Sequence, residues 1–280
     1  MELKTNLSFF SLLEDTTTFM RNRLKQFLIF SVVYTLFAIL MSYFVTSTLF
    51  NFDAISFQPN QVNGSFFVVI FLMVSIQMAA FCAGISNFNL GQKFDSKFFI
   101  EKFFSNFIKI LLTFLAMIVI TIMASIIISI LSLVLNLILN KQLTLFLIAL
   151  IFIVLFIFLS IFIIYFCTTL IDPNQQKSWF EQMSISFKLV FKNKLITIIA
   201  LISYFVILAL SLYLYKIATT SIFSFIVMTV LGIIFSIYSC FLQIFLVSFF
   251  YRIYFLSVNQ NEQFTPQQND NQNGNNGLIV

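Results

Sequence analysis

The groups of this chain that could serve as general acid or base on one side of a membrane are Glu14, Asp15, Asp95, Glu101, Asp172 and Glu181. They stand singly among lysines: Glu101 lies four residues after Lys97 and Glu181 seven before Lys188, as on solvated helix faces. Asp172-Pro173-Asn174 reads as a turn leaving a helix. No nucleophile elbow, phosphate-binding loop or dinucleotide fingerprint accompanies these carboxylates. Histidine is absent, and Cys82, Cys167 and Cys240 are too widely spaced for a CxxC pair or a zinc constellation. Each cysteine sits in an apolar run, where a thiol acts as a small hydrophobe. The residues thus point away from an enzyme and imply no metal or cofactor.

The elements that must position these groups belong to a membrane protein. Of 280 residues 60% are hydrophobic, 41 are Phe, and the charged residues are 15 basic and 10 acidic; a soluble domain usually has about 25% charged residues. The few charges divide the chain evenly. Residues 26–92, 110–176 and 195–261 form three charge-poor intervals of 67 residues each. A spanning helix needs roughly 20 residues, so each interval holds two spans and a connection. The expected fold is an all-α, polytopic transmembrane bundle with spans at 27–50, 66–86, 110–135, 143–171, 195–214 and 223–255 in a membrane domain of residues 27–258. Residues 1–26 form an amphipathic segment before it, and the Asn- and Gln-rich residues 259–280 form a disordered tail. The turn formers Asn51, Pro59, Asn60, Asn63 and Gly64 separate the first two spans. The first apolar run, from Phe27, lacks a cleavage pattern behind it and is expected to remain as an anchor.

Immediately ahead of the first span of each pair the chain reads Phe19-Met20-Arg21-Asn22-Arg23-Leu24, Phe103-Phe104-Ser105-Asn106-Phe107-Ile108 and Val190-Phe191-Lys192-Asn193-Lys194-Leu195. The aligned residues Asn22, Asn106 and Asn193 suggest a threefold parallel internal repeat, although basic loops and hairpins of similar length recur in membrane proteins without one. An amphipathic segment precedes each asparagine. In the third, Phe180, Met183, Phe187, Val190 and Phe191 oppose Glu181, Ser184, Lys188 and Lys192; in the second, Phe99, Phe103 and Phe107 oppose Lys97, Glu101 and Ser105. Helices with one aromatic and one basic face lie in the membrane interface. Three such juxtamembrane helices are expected, with Arg21, Lys188 and Lys192 among their basic residues. Their partners would be anionic phospholipid headgroups or another membrane protein, not nucleic acid, because the basic residues adjoin the spans.

Within the spans, Gln77 and Gln243 are the notable amides, able to hydrogen-bond between helices or to contact a solute. Ala80 with Gly84, and Gly232 with Ser236 and Cys240, are small residues in steps of four that suit close packing. No Asp, Glu, Lys or Arg lies near the middle of a span, and Pro59, Pro173 and Pro266 all lie outside the spans. Ion-coupled carriers place charges and broken helices there, so that class is disfavoured. A permease for an apolar or lipidic solute using Gln77 and Gln243 is the alternative to a non-enzymatic, lipid- or partner-contacting protein.

The order and spacing of Asp15-Thr16, Phe19, Arg21-Asn22, Gly91-Gln92-Lys93, the run into Asn193 and Tyr251-Arg252-Ile253-Tyr254 resemble the YciC family over roughly Ser8 to Ser257. The resemblance implies a multi-span protein of the bacterial inner membrane without an assigned activity, and so transfers no functional residue. The Asn- and Gln-rich tail and the abundance of Phe depart from it.

Thirteen Lys and Arg fall on the side of both termini, against Lys141 and Lys216 on the other; the basic side faces the cytoplasm. Tyr251, Tyr254 and Phe255 around Arg252 read as an interfacial aromatic belt. A fluorescent protein fused after Val280 should therefore glow, and alkaline phosphatase fused there should be inactive. The opposite pair of results would invert the topology.

Overall fold

The computed structural model describes residues 8–49, 64–90, 94–173, 177–220 and 224–263. Among them run eight helices: α1 (Phe9–Asn22), α2 (Leu24–Leu49), α3 (Gly64–Leu90), α4 (Ser96–Ile138), α5 (Lys141–Ile171), α6 (Trp179–Lys192), α7 (Lys194–Thr220) and α8 (Phe225–Gln263). Six of these, α2 to α5, α7 and α8, are long and apolar enough to cross a membrane. The chain is a polytopic helical membrane protein. In hydrocarbon a helix satisfies its own backbone, which is why apolar runs of this length take that form. Starts are set by capping side chains: Ser8, Asp95, Asn140 and Ser178 each accept a hydrogen bond from a first-turn N–H. Helix α5 stops at Ile171 because Asp172 precedes Pro173 and takes an extended conformation.

Each charge-poor interval holds a pair of the six long helices, and the largest displacement is at α4, which begins at Ser96 where the span was expected from residue 110. The next largest is in the last span. Helix α8 continues to Gln263, into the segment read as a tail; the turn at 50–63 and the remainder of the tail lie outside the described residues.

The second amphipathic segment corrects the expected pattern. Only α1 and α6 are separate juxtamembrane helices, each of 14 residues. Their counterpart is the start of α4, which runs without a break for 43 residues, about 64 Å at 1.5 Å per residue and twice the hydrocarbon thickness. Phe103, Phe107 and Ile110 explain the continuity, since they join one core cluster with Phe81, Cys82 and Ile85 of α3. A kink at Asn106 would lift that row off α3.

Neighbour relations follow the proposed copies closely. Helices α2 with α3, α4 with α5, and α7 with α8 pair as hairpins. Each amphipathic segment lies on the second span of the preceding copy: α4 on α3, α6 on α5, and α1 on α8, closing the order. Helices α2, α3, α5 and α8 meet in sequence around a central core to which α4 adds Phe103, Phe107 and Ile110, while α7 stands outside it. Cys82, Cys167 and Cys240, one from each second span, are all buried and free in one cluster of that core.

Helix α3 is the most buried span. Ala79, Cys82, Ala83 and Gly84 form its inward face, with Ala80 only partly buried. A Cβ on Gly84 would stand 2.3 Å from Cε2 and 2.5 Å from Cζ of Phe30 on α2, whereas one on Gly232 would meet nothing closer than the Tyr215 hydroxyl at 3.5 Å. Gly84→Ala should therefore destabilise the protein by about 1–3 kcal/mol through overpacking, and Gly232→Ala should change stability by no more than about 0.5 kcal/mol. Thermal unfolding of the two variants in the same detergent checks this difference.

Candidate functional site

The chemistry-bearing residues gather at the end of the bundle that carries α1, the start of α4, α6 and the close of α8. Its centre is the link between α5 and α6. Asp172 is 7% exposed; its Oδ2 accepts from the Tyr254 hydroxyl of α8 at 3.1 Å, and its main-chain carbonyl accepts from Lys102 Nζ of α4 at 3.0 Å. Five residues along the link, Lys109 Nζ donates to the carbonyl of Lys177 at 3.0 Å. Trp179 Nε1–H, opening α6, donates to Thr113 Oγ1 at 2.9 Å. Helices α4 and α8 thus hold the link, and α6 is tied to α4 where it leaves the link. Burial pulls Lys102 below the ordinary lysine pKa, Lys109 adds to this, and Asp172 opposes it; burial likewise lowers Lys109.

Tyr254 corrects the aromatic-belt expectation. It is 1% exposed and points into the core, leaving Tyr251 partly buried and Phe255 at the surface. Arg252 does not stand alone at the interface but pairs with Asp15 of α1, at 2.9 Å through Nη2 and 3.0 Å through Nε. Asp15 and Asp172, read from sequence as isolated carboxylates, are therefore structural partners of α8. Their partners lie 237 and 82 residues away, a separation that no local motif announces.

The three motif asparagines occupy unlike environments. Asn193 is itself the break between α6 and α7: it is buried, its amide donates to Ser257 Oγ at 3.3 Å, and its carbonyl accepts from Thr197 Oγ1 at 2.8 Å. Thr197 Oγ1 also lies 2.6 Å from the Tyr165 hydroxyl of α5. Asn106 is buried inside the unbroken α4, with no partner for its Nδ2 among the described residues. Asn22 is exposed and ends α1; the break falls one residue later, on Arg23, whose guanidinium lies 5.1 Å from the Phe19 ring centre. Arg21, Lys188 and Lys192 are exposed.

Helix α6 shows three faces. Gln182, Ser186, Leu189 and Val190 are buried against the bundle. Phe180, Phe187 and Phe191 are exposed by 75%, 50% and 57%, alongside exposed Glu181, Ser184, Lys188 and Lys192. The outward aromatic row is as expected, but Met183 and Val190 turn into the protein. On α4 the exposed row is Ile100, Phe104 and Ile108, while Phe99, Phe103 and Phe107 stack on one another and are partly buried.

Gln77 and Gln243 are not brought to one cavity. Gln243 lines a space of about 210 Å³ with Tyr34, Cys82 and Cys167, whereas the carbonyl of Gln77 accepts from the Tyr34 hydroxyl at 3.3 Å outside that lining. No group of three or more potential metal ligands occurs among the described residues. In comparisons with family models, curated proteins and solved structures, none matches the chain.

Tyr254→Phe keeps the ring and removes the donor from a buried carboxyl group. It should destabilise the protein by about 1–3 kcal/mol. Tyr213→Phe, at a side chain 63% exposed, should leave the unfolding temperature unchanged in a parallel melt.

Proposed function

We propose that this is a non-enzymatic protein of the bacterial inner membrane, with both termini cytoplasmic, whose juxtamembrane segments contact anionic phospholipid or a membrane partner at the cytoplasmic surface. The observation that carries the reading is α6, which turns Phe180, Phe187 and Phe191 outward beside Lys188 and Lys192. Its remaining face is already occupied by the bundle. Exposed aromatic rings next to lysines gain from an interface where rings enter the acyl boundary and ammonium groups meet phosphate. The excess of basic residues on the side of the termini supports the cytoplasmic placement. Membership of the YciC family is proposed with it, on the order and spacing of Asp15, Arg21-Asn22, Asn193 and Tyr251 to Tyr254.

The single tryptophan provides a probe, because Trp179 opens α6. In nanodiscs, headgroup-spin-labelled phosphatidylglycerol should quench Trp179 more strongly than equally labelled phosphatidylcholine. Replacing Lys177, Lys188 and Lys192 together by Gln should remove the difference. Equal quenching by the two lipids in the unmodified protein would refute an anionic-lipid contact at α6.

A further inference from the structure

Where α1 lies on α8, the surface opens into a cavity of about 430 Å³ whose lining includes Glu14, Asp15, Asn89, Ser248, Tyr251 and Arg252. Two observations mark it as a site for a ligand. The first is an unsatisfied hydroxyl. Ser248 is 6% exposed, yet its Oγ has no hydrogen-bond partner among the described residues, and the buried Nδ2 of Asn89 has none among them either. Buried polar atoms are nearly always paired. Ser31, Ser75 and Ser186 meet that need by donating to the carbonyl four residues back, whereas Ser248, like Ser86 and Ser239, has no partner among the described residues, and of these three it is Ser248 that lines the cavity.

The second observation is the placing of charge. Asp15 and Arg252 neutralise one another across the seam, so the charge remaining in the lining is the Glu14 carboxylate. The groups are also ordered by depth. Ser248 lies one helical turn, about 6 Å, nearer the apolar run than Arg252, and Arg252 fixes the level of Asp15 and its neighbour Glu14. The unpaired Ser248 hydroxyl therefore stands on the hydrocarbon side, and the carboxylates, with Arg252 between the helices, on the outer side. A ligand that satisfies both carries acceptor oxygens inward and an N–H cation outward.

That order is the one in an ethanolamine phospholipid, with its phosphate beside the glycerol and its ammonium beyond. We propose that this cavity binds the headgroup of such a lipid, the phosphate accepting from Asn89 and Ser248 and the ammonium donating to Glu14. A glycerol headgroup leaves the Glu14 carboxylate facing a phosphate with no cation of its own. Choline supplies a cation but no N–H donor. The inference rests on the membrane placement and not on the lipid contacts of α6.

Native mass spectrometry of the full chain in detergent, with equimolar phosphatidylethanolamine, phosphatidylglycerol and phosphatidylcholine of matched acyl chains, tests it. The ethanolamine lipid should be retained about tenfold over the other two, the worth of one charge-assisted hydrogen bond. Glu14→Gln should reduce that preference to about twofold or less, and Ser248→Ala, which adds no bulk, should lower ethanolamine-lipid retention severalfold. Circular dichroism of each variant establishes that it is folded. Equal retention of the three lipids by the unmodified protein, or an unchanged preference in folded Glu14→Gln, overturns the proposal. Soluble glycerophosphoethanolamine should fail to displace the lipid at micromolar concentration; displacement there would assign the site to a soluble ester and overturn the lipid assignment. The Lys177, Lys188 and Lys192 variant should keep the ethanolamine preference, so this site and the α6 reading fail separately.

Discussion

Lipid tails solvate an apolar side chain about as well as a neighbouring helix does, so a bundle in hydrocarbon cannot rely on hiding Leu, Ile and Phe. What remains is close packing and polar contact. The structure depends on the first at α3, where the absence of a side chain on Gly84 admits the Phe30 ring. Around that approach the small buried groups Ala79, Cys82, Ala83 and Ser86 alternate with the larger Phe81, Ile85 and Phe88, whose rings at 81 and 88 meet Phe30. The three cysteines belong to the same economy: each brings a second span inward, and their convergence needs no chemistry beyond their size and softness.

Polar contact takes over at the end of the bundle that carries the amphipathic segments. The link after α5 is tied to α4 by Lys102 and Lys109 and to α8 by Tyr254, while Asn193 ties the α6–α7 break to Ser257 near the close of α8. Arg252 and Asp15 bring α1 to the same helix. Charged groups of both signs thus serve as fasteners between segments distant in sequence. Others, including Lys188 and Lys192, are left exposed.

The spans were legible because a bilayer imposes length and excludes charge, and both constraints are written locally: three charge-poor intervals of equal size became three helical hairpins. The outward row Phe180, Phe187 and Phe191 was legible for the same reason, as a period in one helix. What escaped depends on contacts between helices. Asn106 and Asn193 look alike in sequence, yet one sits in a continuous helix held to α3 by Phe103 and Phe107 and the other sits at a break. Tyr254 has the composition of an interfacial residue and became a core one because Asp172 lies opposite it. Ser248 carried no signal at all, since an isolated serine in an apolar run is most often returned to its own backbone.

The unbroken α4 gives the two sides of the molecule unequal mechanical connections. A displacement of residues 96–109 passes along one hydrogen-bonded rod to Ile138 on the opposite side, with neither Gly nor Pro in its length to absorb it. Displacements of α1 or α6 meet a non-helical residue, Arg23 or Asn193, before they reach a span. Of the three segments at the membrane surface, two are hinged and one is a lever.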